Sequence, residues 1–248
     1  MKNLKKGVDT ICAHEGEIVD EQFGGSVSPI YVSTSYEYID KEVRRYPRYF
    51  NTPNQESLCK KISALECSES AIVFGSGMAA ISTTLLAFLS AGDHILLQKD
   101  IYGGTRNLVE AQFKRYNIDY SFTDGLELKD FEVGIKNTTK VIYIETPSNP
   151  LLKIVDIKKI AAFAKSNNII TIIDNTFATP IIQKPILFGV DVVLHSATKY
   201  FGGHSDISAG AVATSKANID IIWNLAKNLG GNLSDYSAWL LERSMKTL

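Results

Sequence analysis

Runs of β-branched and aliphatic residues alternate along most of the chain with longer, mixed segments. Ile169-Ile170-Thr171-Ile172-Ile173 is the clearest of these runs, continuous as in a strand buried on both faces of a parallel sheet, and it stops abruptly at Asp174. Val190-Asp191-Val192-Val193-Leu194 reads as a second strand feeding a turn. Ser70 to Phe74 reads as a third, running through Gly75-Ser76-Gly77 into an apolar helix over Met78 to Phe88. Further strands are expected at Ile95 to Gln98, Asp119 to Phe122, Lys140 to Glu145 and Gly210 to Thr214. Helices are expected at Asn54 to Glu66, Ala217 to Leu229 and from Ser234 onward. The alternation predicts an α/β fold with a mainly parallel mixed sheet flanked by helices. Met1 to about Asn51 shows little periodicity and contains Gly24-Gly25, Pro29 and Pro47, so it reads as an arm that packs on something else, naturally a partner subunit.

Composition narrows the function classes. With 248 residues, 45% hydrophobic and 21% charged, the chain has the make-up of an ordinary globular protein able to bury a sizeable core. A formal net charge of -1 gives no broad basic field for a nucleic-acid backbone, although Arg44-Arg45-Tyr46-Pro47-Arg48-Tyr49-Phe50 alone would suit such a contact or a solvated face. No apolar run approaches the ~20 residues of a membrane span, and Met1 to Lys6 lacks the apolar segment of a signal peptide, which predicts a cytoplasmic protein without membrane partners. Cys12, Cys59 and Cys67 lack zinc-site spacing, and His14, His94, His195 and His204 are scattered, so no metal centre is expected.

The candidate chemistry lies at strand ends. Ligands of open α/β sheets bind beyond the carboxyl ends of parallel strands, where Asp174 and Lys199 both fall. Taken alone, Lys199 is a solvated surface charge and Asp174 a helix cap or turn residue. Together they suit pyridoxal phosphate, which requires a lysine for a Schiff base and an acid that keeps the pyridine nitrogen protonated. The Gly75-Ser76-Gly77 turn before a helix is either a phosphate cradle or a tight turn with no ligand. It lacks the lysine of a P-loop and the full glycine pattern of a dinucleotide site.

The ordered set Tyr46-Pro47-Arg48, Ser76-Gly77-Met78-Ala79-Ala80, Tyr102-Gly103, Glu145-Thr146-Pro147-Ser148-Asn149-Pro150, Asp174-Asn175-Thr176-Phe177-Ala178-Thr179-Pro180, Ser196-Ala197-Thr198-Lys199-Tyr200 and Gly203-His204-Ser205-Asp206 resembles the pyridoxal-phosphate enzymes of cysteine and methionine metabolism. These include the cystathionine γ-synthases and the cystathionine and methionine lyases. The resemblance implies the large domain of an aspartate-aminotransferase-like (fold type I) protein. It makes Lys199 the Schiff-base lysine, Asp174 the partner of the ring nitrogen, and Tyr102 the stacking residue and a proton carrier beside Lys199. Asn149 would bond near the ring oxygen, and Gly77, Met78, Ser196 and Thr198 would hold the phosphate, with Thr176 also at the cofactor. Tyr46 and Arg48 would reach the phosphate in a neighbouring subunit, which implies a homo-oligomer, a dimer of dimers, with shared active sites.

On the same resemblance, residues 1–51 are the arm, 52–233 the cofactor domain, and 234–248 the start of a helix leading to a small C-terminal domain that is missing. The substrate is expected to be a small sulfur-containing amino acid. Gly104 stands where methionine γ-lyases usually carry cysteine, and the early motif differs from typical bacterial cystathionine β-lyases, which favours the γ-synthase and γ-lyase branch. Cystathionine β-lyase, O-acylhomoserine sulfhydrylase and a non-catalytic cofactor-binding remnant remain alternatives.

Overall fold

The strand expected around Ile170 lies inside a single seven-stranded sheet in the computed structural model, which describes residues 6–248. Its strands are β1 (Ser70–Phe74), β2 (His94–Leu97), β3 (Asp119–Phe122), β4 (Thr139–Glu145), β5 (Ile170–Asp174), β6 (Val192–His195) and β7 (Gly210–Thr214), in the order β1-β7-β6-β5-β4-β2-β3. Strand β7 runs antiparallel to both neighbours, while the other pairs are parallel. The mixed, mainly parallel α/β architecture is therefore the one expected.

Helices cover both faces, so successive residues of the central strands enter different cores. The helices are α1 (Val8–His14), α2 (Pro53–Glu66), α3 (Gly77–Phe88), α4 (Gly103–Gln112), α5 (Leu128–Gly134), α6 (Ile157–Ser166), α7 (Thr179–Ile182), α8 (Lys216–Leu229) and α9 (Asp235–Ser244). Ile142, Ile144, Ile173 and Val193 pack with Leu58, Ile62 and Leu65 of α2 and with Ala238 and Leu241 of α9. Val141, Tyr143, Ile172 and Leu194 pack on the other side with Ile81 and Leu85 of α3, Val109 of α4 and Ile222 of α8.

Helix α2 begins at a capping box: the Thr52 side chain accepts from the Gln55 N–H, and the Gln55 side chain accepts from the Thr52 N–H. The early segment is more structured than its pattern indicates. Val8, Ile11 and Cys12 of α1 pack on the α2 core, and the buried Lys61 amine donates to Cys12 O at 2.7 Å. Farther along, the Ser28 hydroxyl donates to Glu242 Oε1 at 3.1 Å, yet Val19, Phe23, Val32 and Ile39 remain exposed. The part of the arm before Lys6 lies outside the described residues. Strand β6 starts at Val192 rather than Val190, because the Asp191 carboxylate accepts the Thr171 N–H at 2.8 Å and ends the ladder there. The last expected helix stops at Ser244 and tightens into a 3-10 turn over Met245–Thr247. No helix among the described residues is long and apolar enough to cross a membrane.

Ile173 is fully buried at the centre of the sheet. Ile173→Ala is expected to cost about 2–5 kcal/mol, seen as a lower urea midpoint at unchanged slope. An unaltered midpoint would mean that this strand is not part of the cooperative core.

Candidate active site

The carboxyl ends of β4, β5 and β6 meet the turn between β1 and α3 around a cleft of about 240 Å³. Nine expected site residues line it: Gly77, Met78, Tyr102, Asn149, Asp174, Thr176, Ser196, Thr198 and Lys199. Tyr46 and Arg48 do not. Both are exposed, and Arg48 Nη1 donates to Lys227 O at 2.5 Å with its guanidinium 5.5 Å from the Tyr46 ring.

At one end of the cleft, the Ser76 hydroxyl caps α3 by accepting the Ala79 N–H at 3.0 Å. The N–H groups of Gly77 and Met78, in the first turn, have no acceptor within the helix and carry its partial positive charge. The turn is tightly enclosed. A Cβ on Gly77 would lie 2.8 Å from Ser196 Cβ, and one on Gly210 would lie 2.2 Å from Ser76 O. Thr198 faces the cleft, but its hydroxyl donates to Ala209 O at 3.1 Å and accepts the Ala209 N–H at 3.0 Å, so its single proton is engaged with the residue just before β7.

Asp174 is buried at the end of β5 and is organised by Thr176. Its Oδ1 accepts the Thr176 N–H at 3.0 Å and the Thr176 hydroxyl at 2.6 Å. The same hydroxyl accepts the Ser196 N–H at 2.8 Å, which ties the acid to the Ser196–Lys199 turn. That turn closes with the Lys199 N–H donating to Ser196 O at 3.0 Å. Burial pushes the Asp174 carboxyl up, against the opposing bonds from Thr176. Behind the cleft, the buried Glu66 Oε1 lies 2.5 Å from His195 Nε2 and accepts from Asn175 Nδ2 at 3.0 Å, so the residues flanking Asp174 and Ser196 share one anchor.

Glu145 also lines the cleft, and the sequence reading gave it no role beyond a place in a motif. Its signal is the one that marked Asp174: an acid ending the apolar run Val141 to Ile144. Glu145 and Asp174 are register partners on adjacent strands. Burial, and then the charge of Asp174, push the Glu145 carboxyl up to about 8, against the bonds it accepts from the Tyr102 and Asn149 N–H groups. Ser76 and Phe177, quoted above only within motifs, and Ile81 complete the lining. Tyr102 stands at the mouth, 42% exposed, and Gly104 leaves room for it: a Cβ there would lie 2.4 Å from Tyr102 Cε1.

The sequence profile of the Cys/Met metabolism PLP-dependent enzymes matches residues 9–248. The chain belongs to this family. Cystathionine beta-lyase of Lactococcus lactis subsp. cremoris is 43% identical over 239 residues, covering 95% of this chain and 62% of that protein. Cystathionine gamma-lyase of Bacillus subtilis (strain 168) is 40% identical over 242 residues, covering 96% and 64%. The solved structure of cystathionine gamma-lyase from Lactobacillus plantarum complexed with L-serine superimposes with a TM-score of 0.92 at 39% identity, over 98% of this chain and 64% of that one. The chain thus spans just under two thirds of the length of these relatives.

The family's cofactor, pyridoxal phosphate, fits the donor set. A helix N-terminus and closely packed glycine suit its phosphate. Two buried acids side by side, one of them raised by the charge of the other, suit a group bringing positive charge at its ring nitrogen.

Two outcomes are expected. Gly210→Ala forces β7 away from the Ser76 turn, costing about 1–3 kcal/mol and weakening pyridoxal phosphate binding; thermal unfolding and cofactor titration read the two effects, and unchanged values for both would contradict this packing. The second concerns pH in the cofactor-free protein. The Glu145 carboxyl keeps its proton up to about 8 when folded but only to its ordinary 4.5 when unfolded. The folded state therefore binds more protons across that window, and this contribution to stability is lost as pH rises through it. Wild type should lose stability relative to Glu145→Gln between pH 5 and 8, and a pH-independent difference in urea midpoints would contradict the assignment.

Proposed function

We propose that this chain forms the cofactor-holding part of a pyridoxal-phosphate enzyme of trans-sulfuration type, which eliminates or replaces the sulfur-linked or acyl-linked substituent of a small amino acid. The carrying observation is the convergence of Lys199, Asp174 and the N-terminus of α3 on one cleft. Bound there, the cofactor supplies a protonated aromatic ring that takes up the negative charge developing at the substrate Cα.

The chain's own groups do the rest. Asp174, held at Oδ1 by Thr176, keeps the ring nitrogen protonated. Lys199 would hold the cofactor through its Nζ, and that amine, when free, would take the proton from the substrate Cα and return it farther along the substrate. Tyr102 and Asn149, both lining the cleft, would hold the ring, Tyr102 against its face and Asn149 near its oxygen, and Tyr102 would share the proton transfers. The Gly77 and Met78 N–H groups hold the phosphate together with the Ser196 hydroxyl. Thr198, its hydroxyl proton committed to Ala209 O, joins them only by turning that bond toward the phosphate.

Within this class we favour γ-elimination or γ-replacement. Gly104, and an early motif unlike that of typical bacterial β-lyases, support it. Relatives named beta-lyase and gamma-lyase, at 43% and 40% identity, represent both chemistries, so substrate decides. Residues 1–51 are proposed as the arm of an oligomer, with Tyr46 and Arg48 reaching a neighbouring copy's phosphate; their exposure and that of Val19, Phe23 and Ile39 support this. Residues 52–233 form the proposed cofactor domain, and 234–248 lead out of it.

With pyridoxal phosphate added, wild type should turn yellow, and borohydride should fix the cofactor on Lys199. Acid–base groups of this kind contribute about 10²–10⁴-fold each, so Lys199→Ala should lose the colour and nearly all turnover. With uptake of one water, L-cystathionine should yield cysteine, 2-oxobutanoate and ammonia in the γ branch, or homocysteine, pyruvate and ammonia in the β branch. Turnover retained by Lys199→Ala would overturn the reading.

A further inference from the structure

Glu145 holds an unusual position for a buried acid. Its backbone is clamped by one side chain: the fully buried Gln98 accepts the Glu145 N–H at Oε1 (3.1 Å) and donates from Nε2 to Glu145 O (2.9 Å). The same Nε2 donates to Asp100 O at 3.0 Å, so the loop after β2 is fixed to the end of β4. From this clamp the carboxylate reaches into two loops. Its Oε2 accepts the Tyr102 N–H at 2.6 Å and its Oε1 accepts the Asn149 N–H at 2.7 Å.

We propose that Glu145 is a positioning residue that sets, through these two backbone bonds, where the Tyr102 ring and the Asn149 amide stand around the cofactor. This rests on the cofactor reading of the cleft given above. This role favours the ionised form, which the cofactor-free protein reaches only above about pH 8 and which a positively charged ring beside the two acids stabilises: a carboxylate alone among side chains of this size accepts on two oxygens without presenting a donor. Glutamine has the same shape, but its NH2 would face one of the two N–H groups and lose that bond. When ionised, Glu145 makes both bonds charge-assisted, roughly twice as strong as neutral ones, at 2.6 and 2.7 Å. Placing an acid beside Asp174 is costly. A merely structural tie between two loops would not require that cost, since an amide or hydroxyl could serve each loop separately.

The test uses the full chain, with pyridoxal phosphate as the probe. Glu145→Gln should weaken cofactor binding roughly tenfold or more, the worth of one bond to a charged group, and should alter the circular dichroism of the bound cofactor. Adding Glu145→Gln to a Tyr102→Ala, Asn149→Ala background should bring no further loss, because both positioned groups are gone. Additive losses, or wild-type affinity and dichroism in Glu145→Gln, would overturn the proposal. A fall in melting temperature alone, with affinity unchanged, would do the same. Should Glu145→Gln fail to fold, hydrogen exchange on wild type decides: slow exchange at the Tyr102 and Asn149 amides is expected, and exchange as fast as in open loop would overturn it. Wild type that binds without trapping on Lys199 refutes the cofactor reading, whereas proper trapping with an unaffected Glu145→Gln refutes only the role of Glu145.

Discussion

Two carboxylates held side by side in low-dielectric surroundings set the terms for the cleft. Asp174 and Glu145 end adjacent parallel strands in register; burial pushes each toward its neutral form, and the charge of Asp174 adds to that push at Glu145. Such a pair is tolerated only where hydrogen bonds are dense. Thr176 gives Asp174 two, and the Tyr102 and Asn149 backbones give Glu145 two. The loops around the cleft are therefore arranged by the needs of the acids, and the side chains those loops carry are aimed as a result.

The sheet makes this arrangement rigid. Ile144 and Ile173, one position before the acids, are fully buried in the core that also takes in α2 and α9, so the charged ends are carried on strands that cannot shift without opening that core. The acidic ends and the helix N-terminus of α3 lie across the same cleft, negative and positive by turns. A ligand with a phosphate at one end and a basic ring nitrogen at the other matches both.

Much of this was legible in the sequence. Six of the seven strands were marked by apolar runs, because strands buried on both faces leave no polar alternation to blur them, whereas the edge strand β3 is polar at Asp119 and Ser121 and only partly buried. Asp174 and Lys199 stood out by their position after such runs, and the resemblance of the ordered motifs brought in Tyr102, Asn149, Thr176 and the phosphate turn. Helix α1 was hidden because it is short and opens after Gly7, its pattern too brief to show a period. The Gly103-Gly104 pair at the head of α4 similarly masked a helix whose start is fixed by Tyr102 and Glu145. Glu145 itself escaped because its partners are backbone N–H groups, which leave no trace in side-chain identity. The engagement of Thr198 with Ala209 could not be read either, since it depends on β7 returning antiparallel beside the turn.

That return of β7 has a consequence for how the protein can vary. Helical crossovers begin at the carboxyl end of one strand and finish at the amino end of a parallel one, so their far ends can lengthen without disturbing the cleft. The connection from Ser196 to Gly210 instead leaves β6 and enters β7 on the same side, with Thr198 bonded to Ala209 and Gly210 pressed against Ser76. One end lines the cleft, and the other packs against Ser76, which lines it too. Insertions should accumulate in the crossovers of descendants of this chain, while the length of that one connection stays nearly constant.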